Sequence, residues 1–327
     1  MPFPARRLAV AAVLLLAVSG CAGPGASPGS GPSASASATA PAAAIDDCGI
    51  AVTPRATPAE RILAVKSTAA ELVVALGLGD ALESTAFLDG PLELSPGMDA
   101  VPTIDGLPSR EAVLALEPDA VIAGWESAFA PEAAGDRAAL HELGITTWVS
   151  PAACRSVDVA PLTWDALLGE FGDAAAVLGV PEAGAALMAE QRAALDAIEP
   201  LDGGATALWY SSGEDAPYVG GGAGAPQLVL DAAGLTNVAT DVQDAWTTMS
   251  WEALAASDPD VIVLVDAEWH TAESKIERLR ANPATAQLSA VQDGRFVVVP
   301  FPMAEAGVGS VGAVELVVDG VRAMELP

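Results

Sequence analysis

The chain has 327 residues, of which 43 are Asp or Glu and only 14 are Lys or Arg, giving a formal net charge of −29 at pH 7. Such an acidic chain is not expected to bind nucleic acid, whose phosphates require clustered basic residues. Its side chains are also not expected to bind an anionic membrane surface tightly, and the acid excess is typical of a solubilising extracellular surface.

The N-terminus carries the pattern of a bacterial export signal. Arg6 and Arg7 precede an apolar run over residues 8–18, which ends in Ser19, Gly20 and Cys21. The run is too short for a permanent membrane helix, which needs about 20 apolar residues. The small residues before the cysteine resemble the lipobox of bacterial lipoproteins. This resemblance implies a signal peptide over residues 1–20 and an extracytoplasmic protein anchored to the cell membrane by a diacylated Cys21. Ordinary secretion with an incidental cysteine is the alternative.

The segment after the cysteine is a predicted tether. Between residues 22 and 44 it consists only of Ala, Gly, Ser, Pro and Thr, which can bury no core. The folded body is therefore predicted to begin near Ile45. Its length suits two lobes rather than one core, and it has no second apolar segment long enough to span a membrane.

Apolar runs alternate with helical patterns along the body, which is typical of parallel βαβ units. The predicted strands are residues 61–65, 84–87, 120–123, 145–149, 205–210, 261–265 and 296–299, and the predicted helices are residues 70–78, 110–116, 136–143 and 182–199. The last helix begins after Pro181 and ends before Pro200. It is predicted to span residues 181–199 and to join an N-terminal α/β lobe, residues 45–180, to a C-terminal α/β lobe, residues 200–327.

An internal repeat supports two lobes. The stretch PSREAVLALEPDAVIAGW has a gapless counterpart in MSWEALAASDPDVIVLVD. Each copy is predicted to contain a serine that caps a short helix, an acidic residue in the first helical turn, and a Pro-Asp turn into a buried strand. Each lobe should therefore contain the same helix–turn–strand unit.

The paired repeat units, the single linking helix and the lipobox resemble the periplasmic binding proteins that serve ABC importers of iron-siderophores, haem and cobalamin. The resemblance covers the chain after Ile45. It implies a class III solute-binding protein, in which two Rossmann-like lobes are joined by one rigid helix and a bulky ligand lies between them. The implied partners are a permease dimer with its ATPase subunits.

In that family an acidic residue on each lobe docks onto arginines of the permease. By position in the repeat, the corresponding residues here are Glu111 and Glu252. The alternative is that both carboxylates only complement the dipole of their short helices, worth about 0.3–1 kcal/mol each.

A closer resemblance is carried by the stretches AVKSTAAELVVALGLGDAL, TAFLDGP, ALWYSSGEDAPYVGGGAGAPQLVLDAAGLTNVA and VPFPMAEAGVGSVGAVE. They look like actinobacterial substrate-binding proteins assigned to a precursor of the deazaflavin coenzyme F-420. The resemblance implies a deazaflavin precursor as the ligand. Ferric siderophores, haem and cobalamin remain alternatives that the same mechanism would serve.

Two cysteines remain if Cys21 carries lipid. Cys48 and Cys154 then form an even pair in an oxidising compartment, so a disulfide is predicted between them. Two unpaired buried thiols are the alternative.

The ligand is expected at the carboxyl ends of the strands, where open α/β sheets bind ligands. Lys66, Ser67 and Thr68 follow the first predicted strand and open a helix, which offers one cation and backbone N–H groups to a carboxylate or phosphate. The alternative is a plain helix cap with a solvated lysine. Aromatic side chains in such segments could stack on a planar ligand, and packing into the core is the alternative for these rings. The further candidate ligand-binding residues are Phe87, Trp125, Glu126, Ser150, Trp209, Tyr210, Tyr218, Trp246, Trp269 and Phe301.

Catalysis and direct metal capture find little support in the sequence. A nucleophile needs an adjacent base, and the chain contains only His141 and His270. A bare transition metal would require several imidazoles or thiolates. We therefore expect no enzymatic activity, no cofactor and no protein metal site, with an extracellular hydrolase as the minor alternative.

Overall fold

The first half of the folded body is built on a parallel sheet. The computed structural model describes residues 43–90, 92, 98–324 and 326, so the predicted signal peptide, Cys21 and nearly all of the tether lie outside the described residues. The strands that precede or form this sheet are β1 (Ile45–Asp47), β2 (Ile50–Val52), β3 (Ile62–Val65), β4 (Leu82–Ala86), β5 (Thr103–Ile104), β6 (Ala120–Ala123) and β7 (Thr146–Val149). β1 and β2 pair as a separate antiparallel hairpin. The other five strands are all parallel, in the order β5-β4-β3-β6-β7.

An α-helix follows each of β3, β5, β6 and β7, since parallel pairing requires crossover connections between strands. They are α1 (Ser67–Ala75), α2 (Arg110–Ala115), α3 (Arg137–Glu142) and α4 (Trp164–Val177). β3 and β6 are buried at every position, in keeping with their continuous apolar sequences. The chain therefore winds outwards from the central strand β3 in both directions, which brings the carboxyl ends of β3, β4 and β6 together at one edge.

One long helix, α5 (Pro181–Ala197), stands between the two sheets in the sequence. Pro181 occupies its first turn, where a missing backbone N–H costs nothing. The helix packs mainly against α4, and within it only Gly184 and Leu187 are buried. The predicted helix over residues 182–199 is thus present with nearly the predicted bounds.

The second half repeats the plan around a mixed sheet. Its strands are β8 (Thr206–Ser212), β9 (Tyr218–Gly220), β10 (Thr236–Asn237), β11 (Trp246–Thr248), β12 (Val261–Asp266) and β13 (Phe296–Pro300). The order is β11-β9-β8-β12-β13, with β10 parallel to β8 and with β9 antiparallel to both β8 and β11. Its helices are α6 (Ala225–Ala233), α7 (Trp251–Ser257), α8 (Ala272–Ala281), α9 (Ser289–Gln292), α10 (Phe301–Ala304) and α11 (Ser310–Arg322). The α/β fold class predicted from the sequence is confirmed.

The two copies of the sequence repeat adopt the same local structure. Ser109 caps α2 by accepting a hydrogen bond from the Ala112 N–H, and Ser250 caps α7 by accepting one from the Ala253 N–H. Each short helix leads through a turn into a buried strand, β6 or β12. Because each helix runs back along the strand that follows it, both helix N-termini lie towards the carboxyl edge of their sheet. None of the described helices is both long and apolar enough to cross a membrane.

Candidate functional site

An open cleft with a volume of about 490 Å³ lies between the carboxyl edges of the two sheets. Its size falls in the range of about 300–1,000 Å³ that is usual for small-molecule sites. One wall comes from the start of α1 and from the segments that follow β6 and β7. The other wall comes from β9, from the start of α6 and from the segments that precede β11 and follow α10.

Five of the sequence-predicted ligand residues line this cleft. The first half contributes Thr68, Trp125 and Ser150, and the second half contributes Tyr218 and Trp246. Trp125 and Ser150 follow predicted strands, and Thr68 lies in the helix after one. Tyr218 and Trp246 lie in β9 and β11, two short strands that the sequence did not predict. The structure therefore brings together residues that lie up to 178 positions apart in the chain, from Thr68 to Trp246.

Tyr218 and Trp246 form an aromatic wall on the second half. Their rings stack with an interplanar angle of 17° and centroids 5.9 Å apart. The pairing of β9 with β11 places Tyr218 opposite Thr248 and Trp246 opposite Gly220, so the two rings approach each other diagonally across the strands. Burial raises the pKa of the Tyr218 phenol above its usual value, and the phenol stays neutral at physiological pH. The pair therefore offers a flat, uncharged surface to a ligand.

Lys66 and Ser67 do not face a ligand as free groups, which corrects the expectation of an anion anchor. The Lys66 ammonium is paired with the Asp89 carboxylate, and only 1% of the residue is exposed. Ser67 is fully buried, and its hydroxyl accepts a hydrogen bond from the Asp89 N–H at 3.0 Å. Asp89 lies 23 residues after Lys66 in the sequence, just beyond β4. Nothing in the sequence indicated that its carboxylate would pair with Lys66.

Phe87 and Phe301 lie beside this buried ion pair rather than in the lining of the cleft. The Lys66 Nζ atom is 4.4 Å from the centre of the Phe87 ring and 5.3 Å from that of Phe301. Burial lowers the pKa of Lys66 and raises that of Asp89, because a charge removed from water is harder to maintain.

Trp209 and Tyr210 are core residues, which corrects their assignment to the ligand site. Both have an exposed fraction of 0%. The strand continues past them to Ser212, and Trp209 and Tyr210 pair with Val263 and Leu264 of β12 in the middle of the sheet. The Tyr210 hydroxyl donates a hydrogen bond to the Gly213 carbonyl oxygen. Neither ring can therefore contact a ligand in the cleft.

Trp269 also lies outside the cleft lining. It is 58% exposed, and its ring meets the edge of the Phe301 ring with centroids 5.8 Å apart. It follows β12, as predicted, but points to solvent beside the site.

Glu126 shapes the cleft without lining it. Its carboxylate accepts hydrogen bonds from the backbone N–H groups of Arg155 and Ser156, the second at 2.9 Å. Residues 155 to 160 form much of the rim on the first half. Glu126 therefore holds this rim segment in place.

Glu170 holds the segment that directly follows β7, just before this rim. Its carboxyl group accepts from the Ser150 hydroxyl at 2.9 Å and from the Ala152 N–H at 3.0 Å. Burial raises the pKa of Glu170 to about 8. Ser150 is thus both a lining residue and part of a buried hydrogen-bonded pair.

The predicted disulfide joins Cys48 to Cys154, with Cα atoms 5.4 Å apart. It fastens the rim segment to the β1–β2 hairpin. The carboxylate of Asp47 lies close to both sulfur atoms, but it is paired with Arg137, and the sulfurs are bonded to each other. This group therefore offers no free set of metal ligands.

The sequence reasoning missed all four charged residues that line the cleft within the described part of the chain, Arg155, Asp158, Asp244 and Glu305. Glu305 is half-buried at the base, where it accepts a hydrogen bond from the Trp125 Nε1–H at 3.5 Å. Burial raises the pKa of Glu305. A lone acid four residues after Phe301, in a run of small and apolar residues, was the available signal. Together, the four residues place three carboxyl groups and one guanidinium in the cleft lining.

Glu111 and Glu252 are exposed in the first turns of α2 and α7. Both lie towards the same edge of the sheets as the cleft, one on each half. Their capping serines fix the two first turns in the same way.

Comparisons with known proteins agree with this architecture. The model of a family described as periplasmic binding protein matches residues 62–303. Among proteins with curated descriptions, none matches the sequence.

Solved structures match over nearly their whole length. A periplasmic binding protein from Veillonella parvula has a TM-score of 0.72 and 21% identity, covering 85% of this chain and 96% of that one. A structure titled as an ABC-type Fe3+-hydroxamate transport system, from Saccharomonospora viridis, has a TM-score of 0.71 and 24% identity, covering 86% and 99%. A periplasmic haem-binding protein from Roseiflexus has a TM-score of 0.64 and 24% identity, covering 80% and 98%.

Proposed function

Because this chain belongs to the periplasmic binding protein family, we propose that it captures a bulky planar small molecule in the cleft and delivers it to an ABC importer. Members of the family are substrate-binding proteins of transporters rather than enzymes, which answers the hydrolase alternative. They act outside the cytoplasm with permease and ATPase partners. The observation that carries the proposal is the cleft itself, which both halves build and which aromatic rings line.

The aromatic lining favours a flat ligand. Trp125 lies on one side of the cleft and the stacked pair of Tyr218 and Trp246 on the other. Aromatic contacts contribute about 0.5–1.5 kcal/mol beyond the burial of area when rings stack or meet edge to face. A tricyclic ring system bound between these walls would contact Trp125 on one face and the pair of Tyr218 and Trp246 on the other.

The charges of the cleft favour a ligand without several negative charges. Asp158, Asp244 and Glu305 outnumber Arg155, and Lys66 is already occupied by Asp89. A deazaflavin precursor, with a flat ring and hydroxyl groups but no phosphate, fits this lining better than haem, whose two propionates would meet these carboxylates. We therefore propose a deazaflavin precursor as the ligand.

Ferric siderophores are the second candidate, supported by the resemblance of the fold to the hydroxamate transport protein. Haem and cobalamin are weaker candidates. Cobalamin is the bulkiest of the four and would require the two halves to move apart before it could enter a cleft of about 490 Å³.

We further propose that Cys21 is diacylated and anchors the chain to the outer face of the cell membrane. Cys21 is outside the described residues, and the proposal is supported by the sequence pattern around it. Radiolabelled palmitate should be incorporated by the wild type and not by Cys21→Ser, and equal labelling of both would contradict the anchor.

The ligand proposal is tested by tryptophan fluorescence. The full chain in a mild detergent is titrated separately with the deazaflavin precursor, a ferric hydroxamate, haem and cobalamin. Saturable quenching by the deazaflavin precursor at micromolar or lower concentration is expected. Saturation by one of the other three instead would overturn the ligand and leave the transport function in place.

A further inference from the structure

Lys66 is a buried cation that the protein's own groups surround. Its Nζ atom lies 3.6 Å from the centre of the Trp125 ring, in addition to the contacts with Phe87 and Phe301. Asp89 completes the surroundings as the ion-pair partner. A cation over aromatic faces is attracted by the negative electrostatic potential of the rings, most strongly for tryptophan. The ammonium therefore has an aromatic cage that holds it without a ligand.

The cage connects the two halves of the folded body. Lys66, Phe87 and Trp125 follow strands of the first sheet, whereas Phe301 follows the last strand of the second. A second link runs in parallel, because the Trp125 Nε1–H donates to the Glu305 carboxylate of the second half. Trp125 and Glu305 both line the cleft. The cage therefore borders the cleft through Trp125, and Glu305 is hydrogen-bonded to that ring.

The backbone at Lys66 adopts a conformation that normally requires glycine. Its φ is 81° and its ψ is 151°. Phe87, another member of the cage, also has a positive φ of 48°. The Lys66 N–H donates to the carbonyl oxygen of Ala86, the residue before Phe87, at 2.9 Å. Backbone conformations of this kind persist only where the surrounding structure imposes them, and they cluster at functional sites.

We propose that Lys66 is a positioning residue of the ligand cleft. Its ammonium holds the indole of Trp125 in place between the two halves and so fixes one wall of the cleft. The inference rests on the proposed function of the cleft as a ligand site. In this role Lys66 is not an anion anchor. The ligand contacts the Trp125 ring that the lysine holds, and it does not contact the lysine.

The variant that tests this role is K66M/D89N, which removes both charges together. Removal of the lysine alone would leave a buried carboxylate unpaired, whereas replacement of both members of a buried pair is better tolerated. Lys275→Met is the matched control. Lys275 is also fully buried, with an exposed fraction of 0%, but its ammonium is bound by the backbone carbonyl oxygens of Val265 and His270 in the second half.

The measurement is the ¹H–¹⁵N spectrum of the full chain in a mild detergent with ¹⁵N-labelled indole nitrogens. The seven tryptophans give seven signals, each assigned from a Trp→Phe variant. In the folded K66M/D89N variant the Trp125 signal is expected to shift and its heteronuclear NOE to fall, while the Trp148 and Trp209 signals stay in place. The Lys275→Met variant should leave the Trp125 signal unchanged.

An unchanged Trp125 signal in folded K66M/D89N overturns the proposal. If the double variant does not fold, Phe301→Leu removes one ring of the cage without altering a charge, and the same loss of Trp125 order is expected. Affinity for the deazaflavin precursor should fall about tenfold in K66M/D89N, as expected when a preorganised ring becomes mobile. If the wild type does not bind that precursor, the ligand is wrong, and the indole spectrum still decides the role of Lys66.

Discussion

Asp119 and Asp260 both accept hydrogen bonds from the backbone at the start of the central strands, one in each half. The Asp119 carboxylate accepts hydrogen bonds from the backbone N–H groups of Glu60 at 2.9 Å and of Arg61 at 3.2 Å, just before β3. The Asp260 carboxylate accepts from the Thr206 N–H at 2.8 Å, at the start of β8. The aspartates occupy equivalent positions of the sequence repeat. In each repeat, the aspartate just before β6 or β12 therefore links the start of that strand to the start of its parallel neighbour, β3 or β8.

Asp119→Ala and Asp260→Ala should each lower the free energy of unfolding by about 1–3 kcal/mol, because the strand N–H groups lose their acceptors. The measurement is urea-induced unfolding followed by circular dichroism. Asp202→Ala is the control, since Asp202 is exposed and its carboxylate has no hydrogen-bond partner within the described part of the chain. Equal stabilities of all three variants would contradict the role of the repeat.

The sequence predicted the strands of four or more residues, including β7 and β13 at the sheet edges, because runs of that length show a β-rich pattern, and it missed the shorter ones. β5 and β10 have two residues each and β9 and β11 have three, too few to show a period. The cleft residues Thr68, Trp125 and Ser150 were found because they directly follow predicted strands. Trp209 was misplaced because the strand continues into the polar Ser211 and Ser212, which a hydrophobic pattern cannot reveal.

Glu170 should make the stability of the protein fall as pH rises from about 5 to 8. Burial raises its pKa from 4.5 to about 8 in the folded protein. Between these values the folded protein holds a proton that the unfolded chain has released, so each pH unit lowers the free energy of unfolding by at most about 1.4 kcal/mol. This stability is complete below the unfolded pKa and is lost as pH approaches 8.

Glu170→Gln should flatten the pH dependence of the unfolding free energy, because glutamine does not titrate. Asp47, whose pKa burial raises to about 6, contributes in the same direction and is present in both proteins. Glu190→Gln, on the exposed face of α5, is the control and should retain the wild-type slope. Parallel curves for Glu170→Gln and the wild type would contradict a protonated Glu170.

Tyr218→Ala and Trp246→Ala should each weaken binding of the deazaflavin precursor by about 3- to 10-fold, the loss expected from one aromatic contact. Fluorescence titration measures the dissociation constant. Trp269→Ala removes a more exposed ring that lies outside the cleft lining, and it should bind as the wild type does. A loss of affinity in Trp269→Ala, with none in the other two, would place the ligand elsewhere.

The disulfide between Cys48 and Cys154 spans 106 residues of sequence. The chain-entropy model assigns about 4–5 kcal/mol to a loop of that length. The double variant Cys48→Ser/Cys154→Ser should therefore unfold at a much lower urea concentration. Cys21→Ser, which keeps both partners, is the control and should unfold as the wild type does. An unchanged midpoint in the double variant would argue that the bond is absent from the native protein.

Glu111 and Glu252 offer a test of permease docking that is separate from ligand binding. We propose, from the family resemblance, that these two exposed carboxylates meet basic residues of the two permease subunits. The paired substitutions Glu111→Lys and Glu252→Lys should then abolish uptake of the ligand by cells, because a lysine at each position would repel those residues. The dissociation constant for the ligand should be unchanged, since neither residue lines the cleft. Uptake of labelled ligand and fluorescence titration are measured on the same variant.

The matched control makes the same change of charge at exposed positions elsewhere. Glu142→Lys and Glu277→Lys alter one residue in each half, on α3 and α8, outside the two sequence repeats. If docking depends on position, this variant transports normally while the Glu111 and Glu252 variant does not. If both variants lose uptake equally, the total acidity of the surface matters, and the symmetry of the two repeats reflects only the stability of their helices.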